Sequence, residues 1–221
     1  MIEAEVIFLV KESAQDLYYR RIVEDLSTSF SLPITIKDLR PVRVIDRYFD
    51  TPSLRFLQRN ISLRVRERRF VTGPESEGRF TLKTPHPDNE KVNMAVIRNE
   101  YKLTLKGWNL AQIGDFLNHF GDVTAGEPLV SRLAVEELSE EAQLGTDQLA
   151  LHISFDKCHY INEETYQHHS ELIMEVESHG LPVPVLEDIG HYLMEHYPLE
   201  SLRESKYARG SRLLGLAPVA V

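Results

Sequence analysis

The sequence predicts an α+β fold in which about eight antiparallel strands close into a barrel, a tunnel with helices packed on its outside. Three observations lead to this fold class. Many segments alternate polar and apolar residues at a period of two, which is typical of strands. Short connections join these segments, which favours antiparallel neighbours over a doubly wound parallel sheet. Three amphipathic segments with helical spacing need an apolar sheet surface to cover.

The first half of the chain supplies four of the predicted strands. In order, the sequence predicts a strand at Ile2–Val10, a helix from the N-cap Ser13 to Ser29, a β-rich segment at Pro33–Phe49, a turn at Asp50–Pro52 and a short helical connection at 53–60. Next come strands at Ile61–Arg69 and Arg79–Thr84, which are joined by a hairpin loop at Val71–Gly78 that contains two glycines and a proline.

The second half is read in the same way. After a polar loop at His86–Asn93, the sequence predicts a strand at Ala95–Leu105, a helix at Trp108–Phe120 that ends at Gly121, strands at Leu129–Glu137, Leu149–Tyr160 and Leu172–Ser178, and a helix at Val185–His196 that Pro198 stops. Because no repeat or shift in composition divides the chain, we expect a single domain over residues 1–221.

Composition narrows the function classes. The net charge of -9 argues against a nonspecific nucleic-acid binder, although Arg64, Arg66, Arg68 and Arg69 are close enough to form a local basic pocket. The one cysteine, Cys158, cannot form an intramolecular disulfide and is expected to be a buried, inert thiol, which favours the cytoplasm. Since the sequence has no signal peptide and no run of 18 apolar residues, we predict a protein that is neither secreted nor embedded in a membrane.

Charged and other polar residues recur in pairs two positions apart on several predicted strands. Residues i and i+2 of a strand point to the same side, so each pair projects both polar groups to one face, while residues such as Leu63 and Phe80 project to the other. The pairs are Glu3-x-Glu5, Arg64-x-Arg66, Thr81-x-Lys83, Arg98-x-Glu100 and Glu175-x-Glu177. If the helices cover the apolar outside of the barrel, these charged faces line its interior.

A surface that gathers fixed cations and fixed carboxylates suits one kind of ligand. Arginine and lysine hold a polyanion such as a phosphate chain, and carboxylates hold the divalent metal that such an anion carries. The chain contains neither a Gly-x-x-x-x-Gly-Lys nor a Gly-x-Gly-x-x-Gly motif, so no P-loop or dinucleotide fold is predicted. His159, His168 and His169 are not expected to bind zinc, because neighbouring strand residues point in opposite directions.

The ordered set of motifs resembles the CYTH superfamily, the triphosphate tunnel metalloenzymes, over nearly the whole chain. The residues that carry the resemblance are Glu3-x-Glu5, Tyr48–Pro52, Ser62–Arg66, Thr81–Lys83, Arg98-x-Glu100, Phe155-Asp156, Glu175-x-Glu177 and Ser205–Gly210. It implies an eight-stranded tunnel that binds an inorganic, thiamine, nucleoside or RNA 5′-triphosphate together with Mg²⁺ or Mn²⁺. Family members hydrolyse such substrates, and some cyclise ATP.

The resemblance also implies roles for individual residues. Glu5, Lys83 and Arg98 would be catalytic. The substrate-binding residues would be Arg64, Arg66, Lys83, Arg98, Arg132, Lys206 and Arg209, and the metal-binding residues would be Glu3, Glu5, Glu100, Asp156, Glu175 and Glu177. Apart from an RNA 5′-triphosphate, we expect a small-molecule triphosphate or polyphosphate as the partner rather than nucleic acid or membrane.

Three positions differ from the family's usual pattern. Ile7 replaces the lysine that often follows the first two glutamates and is linked in some relatives to activating the attacking water. Lys102 replaces a glutamate, and Val130 replaces a lysine two residues before Arg132. The sequence therefore leaves open two alternatives to hydrolysis, namely a protein that binds a triphosphate or polyphosphate without cleaving it, and an adenylate cyclase.

Overall fold

The computed structural model describes residues 1–11, 19–36, 42–69, 77–106, 109–146 and 148–216. The ten strands of this part of the chain are β1 (Ile2–Val10), β2 (Ile34–Ile36), β3 (Val42–Asp50), β4 (Ser62–Arg69), β5 (Glu77–Pro85), β6 (Val96–Lys106), β7 (Val130–Gly145), β8 (Ala150–Asn162), β9 (His168–His179) and β10 (Leu199–Leu202). The helices are α1 (Tyr19–Ser29), α2 (Arg55–Gln58), α3 (Leu110–Asn118), α4 (Val183–His196) and α5 (Lys206–Leu213), and a short 3-10 helix covers Pro87–Lys91.

Eight of the strands form a closed antiparallel barrel, as the sequence predicted. Their order around the barrel is β1, β6, β5, β4, β3, β7, β8 and β9, and β9 pairs with β1 to close the ring. The two remaining strands are additions, since β2 extends the pairing of β7 and β10 pairs with the second half of β1. Closure leaves no free edge along most of the sheet and gives every barrel strand an inner and an outer face.

The helices bury the outer faces in two apolar layers. On one side, α1 and α4 pack on β1, β7, β8 and β9, with Ile22, Leu26 and Leu193 among the fully buried residues. On the other side, α3 covers β4 and β5, where Ile113 and Leu117 meet Leu63 and other apolar residues of the alternating strands. Because this burial holds the apolar alternates outside, the polar alternates of the same strands face inward.

One end of the barrel interior is apolar rather than charged, and α5 fills it. The inward residues at this end include Ile7, Leu133 and Tyr160, which form a buried cluster with Tyr207 of α5. Gly210 of α5 lies so close to this wall that an added Cβ would come within 2.6 Å of side-chain atoms of Leu133 and Tyr160. The interior is therefore a charged compartment that an apolar plug closes at one end.

The turn after β3 ties the plug to the barrel. The Asp50 carboxylate accepts backbone hydrogen bonds from Thr51, Phe56 and Leu57, which caps α2, and it also accepts the hydroxyl of Tyr207 at 2.8 Å. The ring of Tyr207 stacks on that of Tyr48 at a centroid separation of 5.3 Å. The Tyr48–Pro52 motif thus serves the fold as an anchor for α5.

The structure corrects several predicted elements. The helix α2 lies within the helical connection predicted at 53–60, and α5 is a further helix, which packs into the barrel end. The strand predicted at Leu129–Glu137 continues as β7 to Gly145. The predicted N-cap Ser13, most of the Val71–Gly78 loop and Trp108 lie outside the described residues. Among the helices that the structure describes, none combines the length and apolar character needed to cross a membrane.

Candidate functional site

The charged compartment of the barrel contains a cavity of about 80 Å³. Side chains from all eight barrel strands and from the start of α5 line it. They are Glu3 and Glu5 of β1, Val44 and Tyr48 of β3, Ser62, Arg64 and Arg66 of β4, Lys83 of β5, Arg98 of β6, Glu137, Ser139 and Glu141 of β7, and His152, Ser154 and Asp156 of β8, with Glu175 and Glu177 of β9, Ser205 and Lys206. The structure thus brings together most of the residues that the sequence nominated.

Two arginines of β4 share one buried carboxylate. Asp46 of β3 is fully buried; its Oδ1 and Oδ2 accept the Nε and Nη2 of Arg66 at 2.7 Å each, and its Oδ2 also accepts Nη1 of Arg64 at 2.8 Å. Burial alone would raise the pKa of Asp46, but the two guanidinium groups outweigh it and hold that pKa far below its ordinary value. Asp46 therefore stays ionised and fixes both guanidinium planes at the cavity wall.

The glutamates of β1 pair with cations of β5 and β6. The Glu3 carboxylate accepts the Lys83 ammonium at 2.7 Å, and the Arg98 guanidinium contacts Glu5 more closely than Glu3, from which it lies at 3.5 Å. Burial raises the pKa of Glu3, but Lys83 and Arg98 overcome this effect and lower it to about 2. For Glu5 burial prevails, because Arg98 only partly offsets it while Glu3 and Glu175 repel the charge, and its pKa rises to about 7.

The ammonium group of Lys206 reaches from α5 into a group of three carboxylates. It donates to Asp156 at 2.7 Å and lies 3.3 Å from Glu137 and 3.4 Å from Glu175. The pKa of Lys206 is raised well above its ordinary value, because these carboxylates outweigh the effect of burial. For Glu137, burial dominates and raises the pKa to about 7. One lysine thus neutralises part of a cluster that is otherwise strongly acidic.

Three predicted site residues do not line the cavity. Glu100 of β6 is buried behind it, 3.9 Å from Lys83 and 2.6 Å from the ammonium of Lys102. Arg132 is buried and lies 3.2 Å from Glu164 in the turn between β8 and β9. Arg209 of α5 donates to Glu171 through Nε, at 3.0 and 3.3 Å, and through Nη2, at 2.8 Å. The proposed roles of these three residues stay predictions.

Sequence reasoning missed two buried carboxylates of the cavity region, Asp46 and Glu137. Asp46 had a usable signal, because Val44, Asp46 and Tyr48 alternate on one predicted strand and so share a face. Glu137 had a weaker one, since Glu136 stands next to it and the period alone does not say which of the two points inward. The structure also explains the apolar residue at position 7, because Ile7 lies in the apolar plug.

The residues considered for other metal chemistry have ordinary surroundings. Within the described residues, no group of three or more His, Cys, Asp or Glu side chains is already arranged to hold a metal ion. His159 hydrogen-bonds to the Ser170 hydroxyl at 2.8 Å, and its ring lies beside that of His168. Cys158 is buried in the plug, where burial raises its thiol pKa well above the ordinary value, as an inert thiol requires.

Comparison with known proteins agrees with this geometry. The sequence profile of the CYTH domain matches residues 1–161. Similar solved structures include a proposed adenylate cyclase from Bacillus halodurans (17% identity, TM-score 0.55, 94% of this chain and 96% of that one). A protein from Pyrococcus horikoshii OT3 is also similar (17% identity, TM-score 0.54, 96% and 98% coverage).

A third similar structure is a proposed adenylyl cyclase from Hippeastrum, described as having a dominant triphosphatase activity. It is 17% identical with a TM-score of 0.52, and the alignment covers 98% of each chain. At this level of identity the likeness supports the fold alone. A search of curated proteins finds no match to this sequence.

Proposed function

The chain belongs to the CYTH family, and on this premise we propose that it hydrolyses a triphosphate inside its barrel with the help of Mg²⁺ or Mn²⁺. The observation that carries the proposal is the convergence of basic and acidic side chains from seven strands and α5 on one enclosed cavity. Phosphoryl transfer requires mainly positioning and neutralisation of charge, which such a cavity supplies.

The cations of the cavity would hold the phosphate chain. Arg64 and Arg66 present planar donor forks whose orientation Asp46 fixes, and Lys83 and Arg98 face them from neighbouring strands. Arginine forks match the spacing of phosphate oxygens, and burial strengthens each contact relative to water. Lys206 would add a positive charge from the side of the plug. Arg132 and Arg209 remain proposed substrate-binding residues, although they do not line the cavity.

The carboxylates fit a hard divalent cation. Glu5 of β1 pairs in register with Glu177 of β9, and Glu175 is close enough to raise the pKa of Glu5. The ionised form of such a buried carboxylate is unfavourable unless further positive charge is close to it, which makes the group a suitable Mg²⁺ ligand. Mg²⁺ needs only one or two carboxylates beside phosphate oxygens and waters. We assign this role to Glu3, Glu5, Glu175 and Glu177, with Asp156 and Glu100 beside them.

The metal ion would neutralise charge on the phosphates and polarise a water. The chain's own residues would do the rest. Arg64, Arg66 and Lys83 would keep the phosphates in line, and Arg98 would stabilise negative charge as the terminal phosphate leaves. The apolar plug excludes water from one end of the barrel, so bulk solvent does not compete for these contacts.

A second candidate is a protein that binds the triphosphate without cleaving it. The observation that favours it is Ile7, which stands buried in the plug where many relatives have a lysine. Cyclisation of ATP remains a third outcome, suggested by the names of two similar structures. Parallel assays of inorganic, thiamine and nucleoside triphosphates, each with Mg²⁺ and with Mn²⁺, would separate turnover, binding alone and formation of cyclic AMP.

The decisive variant for hydrolysis is Glu5→Gln, which keeps the shape of the side chain and removes its charge. We expect phosphate release to fall by about two orders of magnitude or more, the scale seen when one preorganised electrostatic group is lost. Glu195→Gln, an exposed change on α4, is the matched control and should leave the rate unchanged. Unchanged phosphate release by a folded Glu5→Gln protein would reject the assignment of this carboxylate.

The phosphate grip has a test that does not require turnover. Tripolyphosphate without metal should stabilise the folded protein by about 2.7 kcal/mol at a hundredfold excess over its dissociation constant. The double variant Arg64→Ala/Lys83→Ala should lose most of this gain, whereas Arg59→Ala, an exposed change, should keep it. If sulfate or chloride at the same ionic strength raises the melting temperature equally, the cavity does not bind phosphates specifically.

Two broader parts of the proposal concern the chain as a whole. We propose that residues 1–221 act as one domain, because the barrel takes strands from β1 to β9 and the plug comes from α5. We also propose that the protein works in the cytoplasm, where its single cysteine, Cys158, stays reduced.

A further inference from the structure

A second hollow lies on the side of the barrel, where two strands meet β1 at different heights. The first half of β1 pairs with β6, with Glu5 opposite Val96, and the second half pairs with β10, with Ile7 opposite Leu202. The chain therefore leaves a gap between the start of β6 and the end of β10. A hollow of about 150 Å³ occupies this gap, ample space for a small anion when one water needs about 10–15 Å³.

This side hollow adjoins the charged cavity. Arg98 and Ser205 belong to the walls of both spaces, so only these side chains and their neighbours separate them. Further polar residues around the hollow are Asn60, Asn89 and Arg203, and apolar walls come from Leu57, Ile61, Val96 and Ile97. An anion that leaves the cavity past Arg98 would enter a space that is already lined by hydrogen-bond donors.

The charge of the side hollow favours an anion. The guanidinium of Arg98 is nine-tenths buried; its Nη2 contacts Glu5 and Glu3, and its Nε has no hydrogen-bond partner among the described residues. Arg203 contributes a second guanidinium, which donates to the backbone carbonyl of Asn89 at 2.9 Å. Of the described residues on the wall, one is a carboxylate, Glu204, and it is engaged by Arg209 at 3.0 Å and by Arg212 at 2.6 Å.

The start of α5 adds to this preference. Ser205 caps the helix by accepting the backbone N–H of Ala208, and Ser205, Tyr207 and Ala208 all border the hollow. A helix N-terminus carries a partial positive charge that stabilises a nearby anion. The guanidinium groups of Arg98 and Arg203 and a helix N-terminus thus border one small space, and each of them favours an anion.

We propose that the side hollow is a binding site for inorganic phosphate, which it receives from the cavity after cleavage. Arg98 and Arg203 hold the phosphate oxygens, and the amide of Asn60 donates a further hydrogen bond. The source of the phosphate rests on the proposed hydrolysis, whereas the site itself rests on the geometry of the hollow. A phosphate that moves into the side hollow leaves the cavity without passing the plug.

Binding of inorganic phosphate to the full chain without metal, measured by calorimetry, tests the site directly. Asn60→Asp is the sharpest variant, because Asn60 has a positive φ of 52° that aspartate also tolerates, and the change adds one negative charge to the wall. We expect Asn60→Asp and Arg203→Ala each to raise the phosphate dissociation constant about tenfold, the effect of one charge-assisted contact. Arg21→Ala, an exposed change on α1, should have no effect.

The same variants separate this site from the cavity. Asn60→Asp and Arg203→Ala should keep the stabilisation by tripolyphosphate that Arg64→Ala/Lys83→Ala removes. Absence of phosphate binding by the wild-type chain would overturn the proposal, as would binding that both hollow variants leave unchanged. Failure of tripolyphosphate hydrolysis would instead count against the proposed function, because the phosphate measurement involves no turnover.

Discussion

Asp46 is the residue whose replacement tests the electrostatic design of the barrel most directly. It is fully buried and accepts three hydrogen bonds from Arg64 and Arg66. Asp46→Asn keeps the size of the side chain but removes its charge, so two guanidinium groups lose their counter-ion in a low-dielectric interior. Among the described residues, Glu137 is another carboxylate close to Arg66, at 3.6 Å.

The magnitude follows from the burial of this pair. Removing one partner of a buried ion pair costs about 3–5 kcal/mol, because the remaining charge stays buried without compensation. For a chain of this size, about 2–4 °C of melting temperature corresponds to 1 kcal/mol, so Asp46→Asn should melt about 6–20 °C below the wild type. Asp115→Asn, an exposed change on α3, should melt with the wild type.

Tripolyphosphate makes the same experiment specific to the cavity. The polyanion can replace the lost carboxylate as a partner for both arginines, so it should raise the melting temperature of Asp46→Asn more than that of the wild type. Thermal melts with and without the ligand, in the absence of metal, measure both effects. Equal ligand-induced rises, or a variant that melts within 2 °C of the wild type, would refute the reasoning.

Two other changes probe the cavity and the plug. The raised pKa of Glu137, about 7 against an ordinary 4.5, means that the folded state favours its neutral form; this stability is complete below pH 4.5 and is lost as the pH rises through about 7. The melting temperature of Glu137→Gln relative to the wild type should therefore rise between pH 4.5 and 7 and then level off, and a constant difference across that range would contradict the assignment. In the plug, Gly210→Ala places a Cβ within 2.6 Å of Leu133 and Tyr160. We expect the free energy of unfolding, measured with denaturant, to fall by about 1–3 kcal/mol. We also expect weaker tripolyphosphate binding, because the change displaces Lys206. Its control, Gly114→Ala in α3, meets no atom within 4 Å and should stabilise the protein by up to about 1 kcal/mol; a Gly210→Ala protein as stable as the wild type would show that the plug is loosely packed.

The alternation of strands explains why so much of the barrel was predictable. Where one face is apolar and the other charged, as in Leu63 and Arg64, the period of two assigns each residue to a side as soon as the helices are placed outside. The closed antiparallel barrel and most of the cavity residues follow from that rule. The family resemblance added the roles, which sequence spacing alone does not supply.

The plug was not predictable in the same way. Near this end of the barrel, the apolar residues of β7 and β8 point inward, whereas exposed residues such as Glu136 and Lys157 lie on the other face. A rule that places the apolar face outside therefore assigns Leu133 and Tyr160 to the wrong side. The spacing of apolar residues in α5 does not indicate that its apolar side enters the barrel. Pairings of individual charges, such as Lys206 with Asp156, also depend on contacts between elements that are distant in sequence.

The position of α5 has a consequence for the order of events during synthesis. The ring closes only when β9 pairs with β1, and Lys206 of α5 follows β9 in the chain. Until α5 has been made, Glu137, Asp156 and Glu175 lack the ammonium group that they share and repel one another. This repulsion disfavours closure of the barrel while the chain is still being synthesised. Late closure of this kind implies slow folding dominated by distant contacts. It also implies that the charged cavity is complete only once α5 has been made.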